Sequence, residues 1–242
     1  MRTKTLLLSA AALLAAGFVS TQAQPVYSQN IVGYASVASA TANKNYLETV
    51  PFVIGSNGVN EVFGSTLPLG SKILIWNGVA AYNLYYYDDP GDGPGFLASD
   101  DTTHLTSFPQ LKPGVGFFLV PAQPITNTYA GTVSVNVGTS NQMAFPTANV
   151  NYLVASVVPY AGAVTNGNNS TGGPNLNGLP LGSKVLIWNG VSAYNLFYYD
   201  DPGDGAGWLL SDDTTHTAPP SISVGQGFFV IPAQPYTWTT GL

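Results

Sequence analysis

All ten aspartates and both histidines of this chain fall inside one motif that occurs twice. The first copy runs Asp88-Asp89-Pro90-Gly91-Asp92-Gly93, then Gly95-Phe96-Leu97 and Ser99-Asp100-Asp101-Thr102-Thr103-His104. The second runs Asp200-Asp201-Pro202-Gly203-Asp204-Gly205, then Gly207-Trp208-Leu209 and Ser211-Asp212-Asp213-Thr214-Thr215-His216. Only 7% of residues are charged, so the crowding of carboxylates is local, and a site is expected there.

Calcium is the first chemistry such a loop suggests, because it takes several carboxylate and carbonyl oxygens around a glycine-permitted turn. Asp88, Asp92 and Gly93 fit positions one, five and six of an EF-hand loop, but Pro90 and Ser99 break positions three and twelve. A different calcium loop would combine Asp88, Asp89 and Asp92 with Asp100 or Asp101, and Asp200, Asp201 and Asp204 with Asp212 or Asp213. The competing reading is a solvated turn, since Asp, Pro and Gly are what a hairpin tip selects. Repulsion does not decide between them: carboxylates about 6 Å apart in water cost only about 0.7 kcal/mol per pair.

Other chemistries fit less well. One histidine per repeat with no cysteine is a poor tetrahedral zinc set, and His104 and His216 read more simply as loop-orienting residues acting through their Thr-Thr neighbours. Ser99, Asp100 and His104 are the residue types of a catalytic triad, but such groups usually meet from distant segments, and no Gly-x-Ser-x-Gly elbow is present. Paired carboxylates could serve a glycosidase, yet these lie in turns rather than on opposed strands. The chain reads more readily as non-enzymatic than as an enzyme. Aromatic residues beside the loops (Tyr85, Tyr87, Phe96, and Phe197, Tyr199, Trp208) offer either ligand-stacking faces for sugar rings or cross-strand core packing.

The rest of the chain bounds these options. Arg2 and Lys4, the apolar run Leu6 to Val19, and Thr21-Gln22-Ala23 read as a secretory signal over residues 1–23, removed on export to the periplasm, outer surface or extracellular space. No transmembrane span is expected in the mature chain. Without the signal, four lysines face twelve carboxylates, leaving a net charge of −8 and no arginine. That excludes nucleic acid as a partner, whose phosphates need a basic stripe. Cysteine is absent, so the exported chain is held by its core.

Leu67 to His104 matches Leu179 to His216 without a gap, with 32 of 38 residues identical. The match resumes at Gly114 to Pro124 against Gly225 to Pro235, and extends upstream to Thr41–Leu47 against Thr147–Leu153. A unit of this size is a whole small domain rather than a solenoid turn. Within it the pattern predicts β-strands: Lys72 to Trp76 before the hairpin signal Asn77-Gly78, Tyr82 to Tyr87, Gly116 to Val120, and Tyr129 to Val137. Only Val59 to Phe63 looks helical, for one turn. The strand Tyr129 to Val137 either closes the first unit or opens the second, as Ile31 to Val37 opens the first.

Val26 to Tyr34, the Gly-Ser-Lys-x-Leu-Ile-Trp-Asn-Gly segments with their Tyr-rich strands, and Pro113 to Phe118 with Val224 to Phe229 carry a likeness. In these residues the chain resembles a group of exported β-rich proteins of Verrucomicrobia and related bacteria. The resemblance implies export and β-structure and brings no activity or catalytic residues.

The fold class expected is all-β: two tandem homologous β-sandwich-like domains after a signal peptide, spanning residues 24–140 and 141–242. The function expected is that of an exported cell-envelope or extracellular structural or binding protein with duplicated candidate calcium loops. The alternative is a carbohydrate-binding or carbohydrate-active protein using its Tyr/Trp-rich faces, with a glycan or envelope protein as partner.

Overall fold

The computed structural model describes residues 32–78, 80–99, 102–134, 140–167, 173–190, 192–211 and 215–241. The expected signal (1–23), and Asp100, Asp101, Asp212 and Asp213, lie outside them. Among the described residues the fold is all-β, with one five-residue helix, α1 (Val59–Phe63), and a 3₁₀ turn at Leu176–Gly178.

Each repeat builds a five-stranded antiparallel sheet. In the first, β2 (Tyr46–Thr49), β3 (Ser71–Trp76), β4 (Tyr82–Asp88), β5 (Gly95–Ala98) and β6 (Gly116–Val120) lie in the order β2-β6-β3-β4-β5. In the second, β9 (Tyr152–Ala155), β11 (Ser183–Trp188), β12 (Tyr194–Asp200), β13 (Gly207–Leu210) and β15 (Gly227–Ile231) lie in the order β9-β15-β11-β12-β13. The β3–β4 and β11–β12 hairpins form where Asn77-Gly78 and Asn189-Gly190 allow a tight reversal, both glycines having positive φ.

A two-stranded ribbon accompanies each sheet. β1 (Val32–Ser39) pairs with β7 (Ile125–Thr132), and β8 (Ser140–Phe145) pairs with β16 (Tyr236–Gly241). The strand that the sequence left open therefore belongs with the first repeat. It begins at Ile125 and pairs with the very segment that was the other candidate match. Residues 162–163 (β10) and 221–222 (β14) add a short bridge in the second repeat.

Each sheet is buried on its inward face and partly covered on the other, which explains why its central strands read as apolar runs rather than alternating ones. Ile73, Phe117, Leu119 and Tyr87 face a core that includes Phe52, Phe63 and Tyr129. Val185, Phe228, Val230 and Trp208 face the corresponding core with Phe145 and Trp238. The intervening residues point the other way. Leu47, Leu74, Trp76, Tyr82 and Phe118 meet Leu153, Leu186, Trp188, Tyr194 and Phe229 in a third cluster between the two sheets.

Contacts across this seam come in reciprocal pairs. The Trp76 indole N–H donates to the Asn151 carbonyl (3.1 Å) and that of Trp188 to the Asn45 carbonyl (2.8 Å). The Thr49 N–H donates to the Gly225 carbonyl (2.8 Å) and that of Ala155 to the Gly114 carbonyl (2.9 Å). Trp76 lies edge-on to Phe229 at 6.0 Å and Trp188 to Phe118 at 5.6 Å. Each partner occupies the equivalent position of the other repeat, the signature of an isologous interface. The phenols of Tyr82 and Tyr194 interact across the centre, and burial raises the pKa of both.

Candidate functional site

The acidic motif forms the β4–β5 hairpin and its repeat, β12–β13. Asp88 closes the ladder opposite Gly95, and Asp200 opposite Gly207. Between them the chain must reverse through Gly91 (φ 119°) and Gly93 (φ 105°), matched by Gly203 (118°) and Gly205 (104°). The aspartates supply the acceptors this reversal needs. Asp89 Oδ1 accepts the N–H groups of Gly91 (2.8 Å) and Gly93 (3.0 Å), and Asp88 Oδ1 accepts that of Asp89 (2.9 Å). Asp201 and Asp200 do the same in the second copy. These are side-chain-to-backbone turns of the kind Asp favours.

The return segment lies back over the hairpin through the Leu105 N–H to Phe96 carbonyl bond, or Thr217 to Trp208. It brings His104 Nδ1 to 3.6 Å from Asp92 Oδ1, and His216 Nε2 to 3.5 Å from Asp204 Oδ1. The histidines thus contact the loop through Asp92 and Asp204, where the sequence predicts that they act through their Thr-Thr neighbours. Each ring rests on a glycine: a Cβ on Gly95 would stand 2.6 Å from the His104 ring, and one on Gly207 2.6 Å from His216. Gly95→Ala should therefore displace His104 and destabilise by about 1–3 kcal/mol, the usual range for overpacking. Urea unfolding of Gly95→Ala and Gly207→Ala checks this, and no change in midpoint would refute the packing.

As a metal set the hairpin is incomplete in what is described: among the described residues no three His, Cys, Asp or Glu side chains are placed to hold an ion. Asp88, Asp89 and Asp92 lie in the first hairpin tip, and Asp200, Asp201 and Asp204 in the second. Asp100, Asp101, Asp212 and Asp213 lie outside the described residues. Below the first tip a cleft of about 360 Å3 is bordered by Asn60, Ser65, Tyr87, His104, Leu105 and Phe108.

The aromatic faces require a correction. Tyr87, Phe96 and Trp208 are 5%, 3% and 4% exposed, so they are core residues and present no stacking surface. Tyr87 packs on Phe96 at 5.0 Å and Tyr199 on Trp208 at 5.4 Å, as directly opposed cross-strand pairs. Tyr85, Phe197 and Tyr199 are half-buried against the same cores. The physical reason is strand alternation: these residues share the inward face with Ile73 or Val185, while Tyr86 and Tyr198 lie outward under Lys72 and Lys184 at 5.5 and 5.2 Å.

Sequence reasoning missed a second polar group. Glu48, in β2, is 2% exposed and sits in the first core. Its Oε1 accepts the Ser39 hydroxyl (2.6 Å) and its Oε2 the Tyr129 hydroxyl (3.1 Å). Burial pushes its pKa from 4.5 up to about 7, against the lowering effect of hydrogen bonds from Ser39, Tyr129 and Asn127. The Asn127 amide stands close enough to act on the carboxyl, yet neither its Nδ2 nor its Oδ1 makes a hydrogen bond of normal geometry. The signal in the sequence was the aligned pair Tyr-Leu-Glu-Thr (46–49) against Tyr-Leu-Val-Ala (152–155), which puts a carboxylate on a core position.

The second repeat shows what this frame holds without a carboxyl. By strand register Ser39, Glu48, Asn127 and Tyr129 correspond to Phe145, Val154, Trp238 and Thr240. Phe145, Val154 and Trp238 are buried in the second core, and the Trp238 indole and Thr240 hydroxyl donate to the carbonyls of Pro174 and Gly173. The same strand arrangement therefore forms without a buried carboxyl. No protein-family model, curated protein or solved structure matches this chain.

Proposed function

We propose that this chain is an exported, non-enzymatic structural or binding protein of the cell envelope or extracellular space. We read it as two tandem β-sandwich-like domains that each present an acidic hairpin. The observation that carries this reading is the engagement of the residues that chemistry would need. Asp89 and Asp201 cap their own loops, His104 and His216 pair with Asp92 and Asp204, and the flanking aromatics fill the cores. Two acidic tips on one chain suit a bivalent contact with a cationic partner, since two linked weak contacts bind far more tightly than one. Export is tested by the mature N-terminus: mass spectrometry should find residues 1–23 missing, and a chain starting at Met1 would sink it.

Calcium is a second reading of the same tips, favoured by the loop's ordered backbone and by Asp92 and Asp204, whose side chains are 67% and 65% exposed. In this reading Asp88 and Asp92, or Asp200 and Asp204, meet the ion with Asp100/Asp101 or Asp212/Asp213. Calcium at a hundredfold excess over Kd then stabilises the fold by about 2.7 kcal/mol per site. Magnesium does less, because it demands tighter octahedral geometry. Asp92→Asn removes one site and leaves the other. A melting temperature unmoved by millimolar calcium, with no heat of binding, leaves the tips as solvated turns.

A further inference from the structure

We propose that Ser39, Glu48, Asn127 and Tyr129 form a proton-controlled clasp that holds the β1–β7 ribbon on the first sheet and loosens it when Glu48 ionises. Glu48 stands on the sheet, whereas all three of its polar neighbours stand on the ribbon: Ser39 on β1, Asn127 and Tyr129 on β7. The clasp therefore bridges two layers that, among the described residues, otherwise meet through apolar side chains such as Ala35, Val37 and Ile125. Phe117 faces Glu48 from β6, and Gln226 of the second repeat meets its backbone at the seam. Among the described residues the only titratable group facing Glu48 is Tyr129, whose own pKa is raised well above 10 by burial and then by Glu48. Among the described residues no cation and no second carboxylate acts on Glu48.

Chemistry gives the clasp two states. A neutral Glu48 carries one O–H donor, and Asn127 Oδ1 is an acceptor without a donor. An ionised Glu48 accepts only, and leaves a buried charge that no cation balances. Opening the ribbon lets water reach that charge. The occupants of the second repeat, Phe145, Val154, Trp238 and Thr240, carry no titratable group, which makes β8–β16 an internal control with the same pairing.

Hydrogen exchange on the full-length chain tests this, with rates corrected for intrinsic exchange at pH 5 and pH 8.5. If ribbon opening returns Glu48 from a pKa of about 7 to 4.5, protection of β1 and β7 amides falls on the order of 100-fold over this range. The amides of β8 and β16 should not follow. Glu48→Gln should abolish the difference, and Glu48→Val, which copies Val154, serves if the glutamine variant folds poorly. Equal pH dependence of the two ribbons in the unmodified chain overturns the proposal without recourse to any variant. So does a ribbon whose pH dependence survives removal of the carboxyl.

Discussion

Cut at the connection near residue 140, the chain is expected to yield two fragments that stay together as a 1:1 complex. The sequence repeat suggests two separate units, but the structure joins them through Leu47, Trp76, Tyr82 and Phe118 and their equivalents Leu153, Trp188, Tyr194 and Phe229. Full burial of a large apolar side chain is favourable by about 1.5–3 kcal/mol, so separation would expose a patch that a stable monomer rarely tolerates. Because the contacts are reciprocal, a lone repeat carries both halves of the interface and should self-associate. Size-exclusion chromatography with light scattering decides the matter. Phe118→Asp should weaken recombination more than any surface change, by placing a charge in the apolar cluster. Two fragments that fold and elute as stable monomers, alone and when mixed, would falsify a structural role for the seam.

The second large effect is a stability that rises as the pH is lowered from 8 to 5. The folded pKa of Glu48, about 7, exceeds its unfolded value of 4.5. Between these values the folded state holds a proton that the unfolded chain has released, so stability falls as pH rises through the window. Above pH 7 the loss levels off at about 3 kcal/mol, the equivalent of that shift. Glu61 acts in the opposite sense: hydrogen bonds from Ser56, then Gly58, lower its pKa, so its contribution is lost only as pH falls below the ordinary carboxylate range. Stability should therefore be greatest near pH 5. Denaturant midpoints measured from pH 4.5 to 8.5 give the curve. Glu48→Gln should flatten it by raising the alkaline side, and an unchanged slope in that variant would show that another group sets it.

Local chemistry was legible where the chain needs only its neighbours. Asn77-Gly78 marked a hairpin, Val59 to Phe63 a helical turn, and Pro90-Gly91-Asp92-Gly93 a reversal. All three depend on backbone preferences within a few residues. The acidic tips were found for the same reason. What their carboxylates do was not legible: whether Asp89 faces water, an ion or its own backbone depends on a loop conformation that the residue types permit but do not select.

The sequence by itself determined an all-β chain made twice, with its acidic hairpins placed and one face of its strands assigned to a core. Strand alternation told that Tyr85 and Tyr87 share a face, but only the tertiary structure decided that this face is the core. A period of two separates the faces and cannot rank them when both are covered. The seam was invisible for the same reason, since burial by the other repeat and burial by a ribbon select the same residues. The clasp needed three segments far apart in the chain. Ser39, Glu48 and Asn127 are unremarkable polar residues in sequence, and only the pairing of β1 with β7 over β2 makes them one buried group.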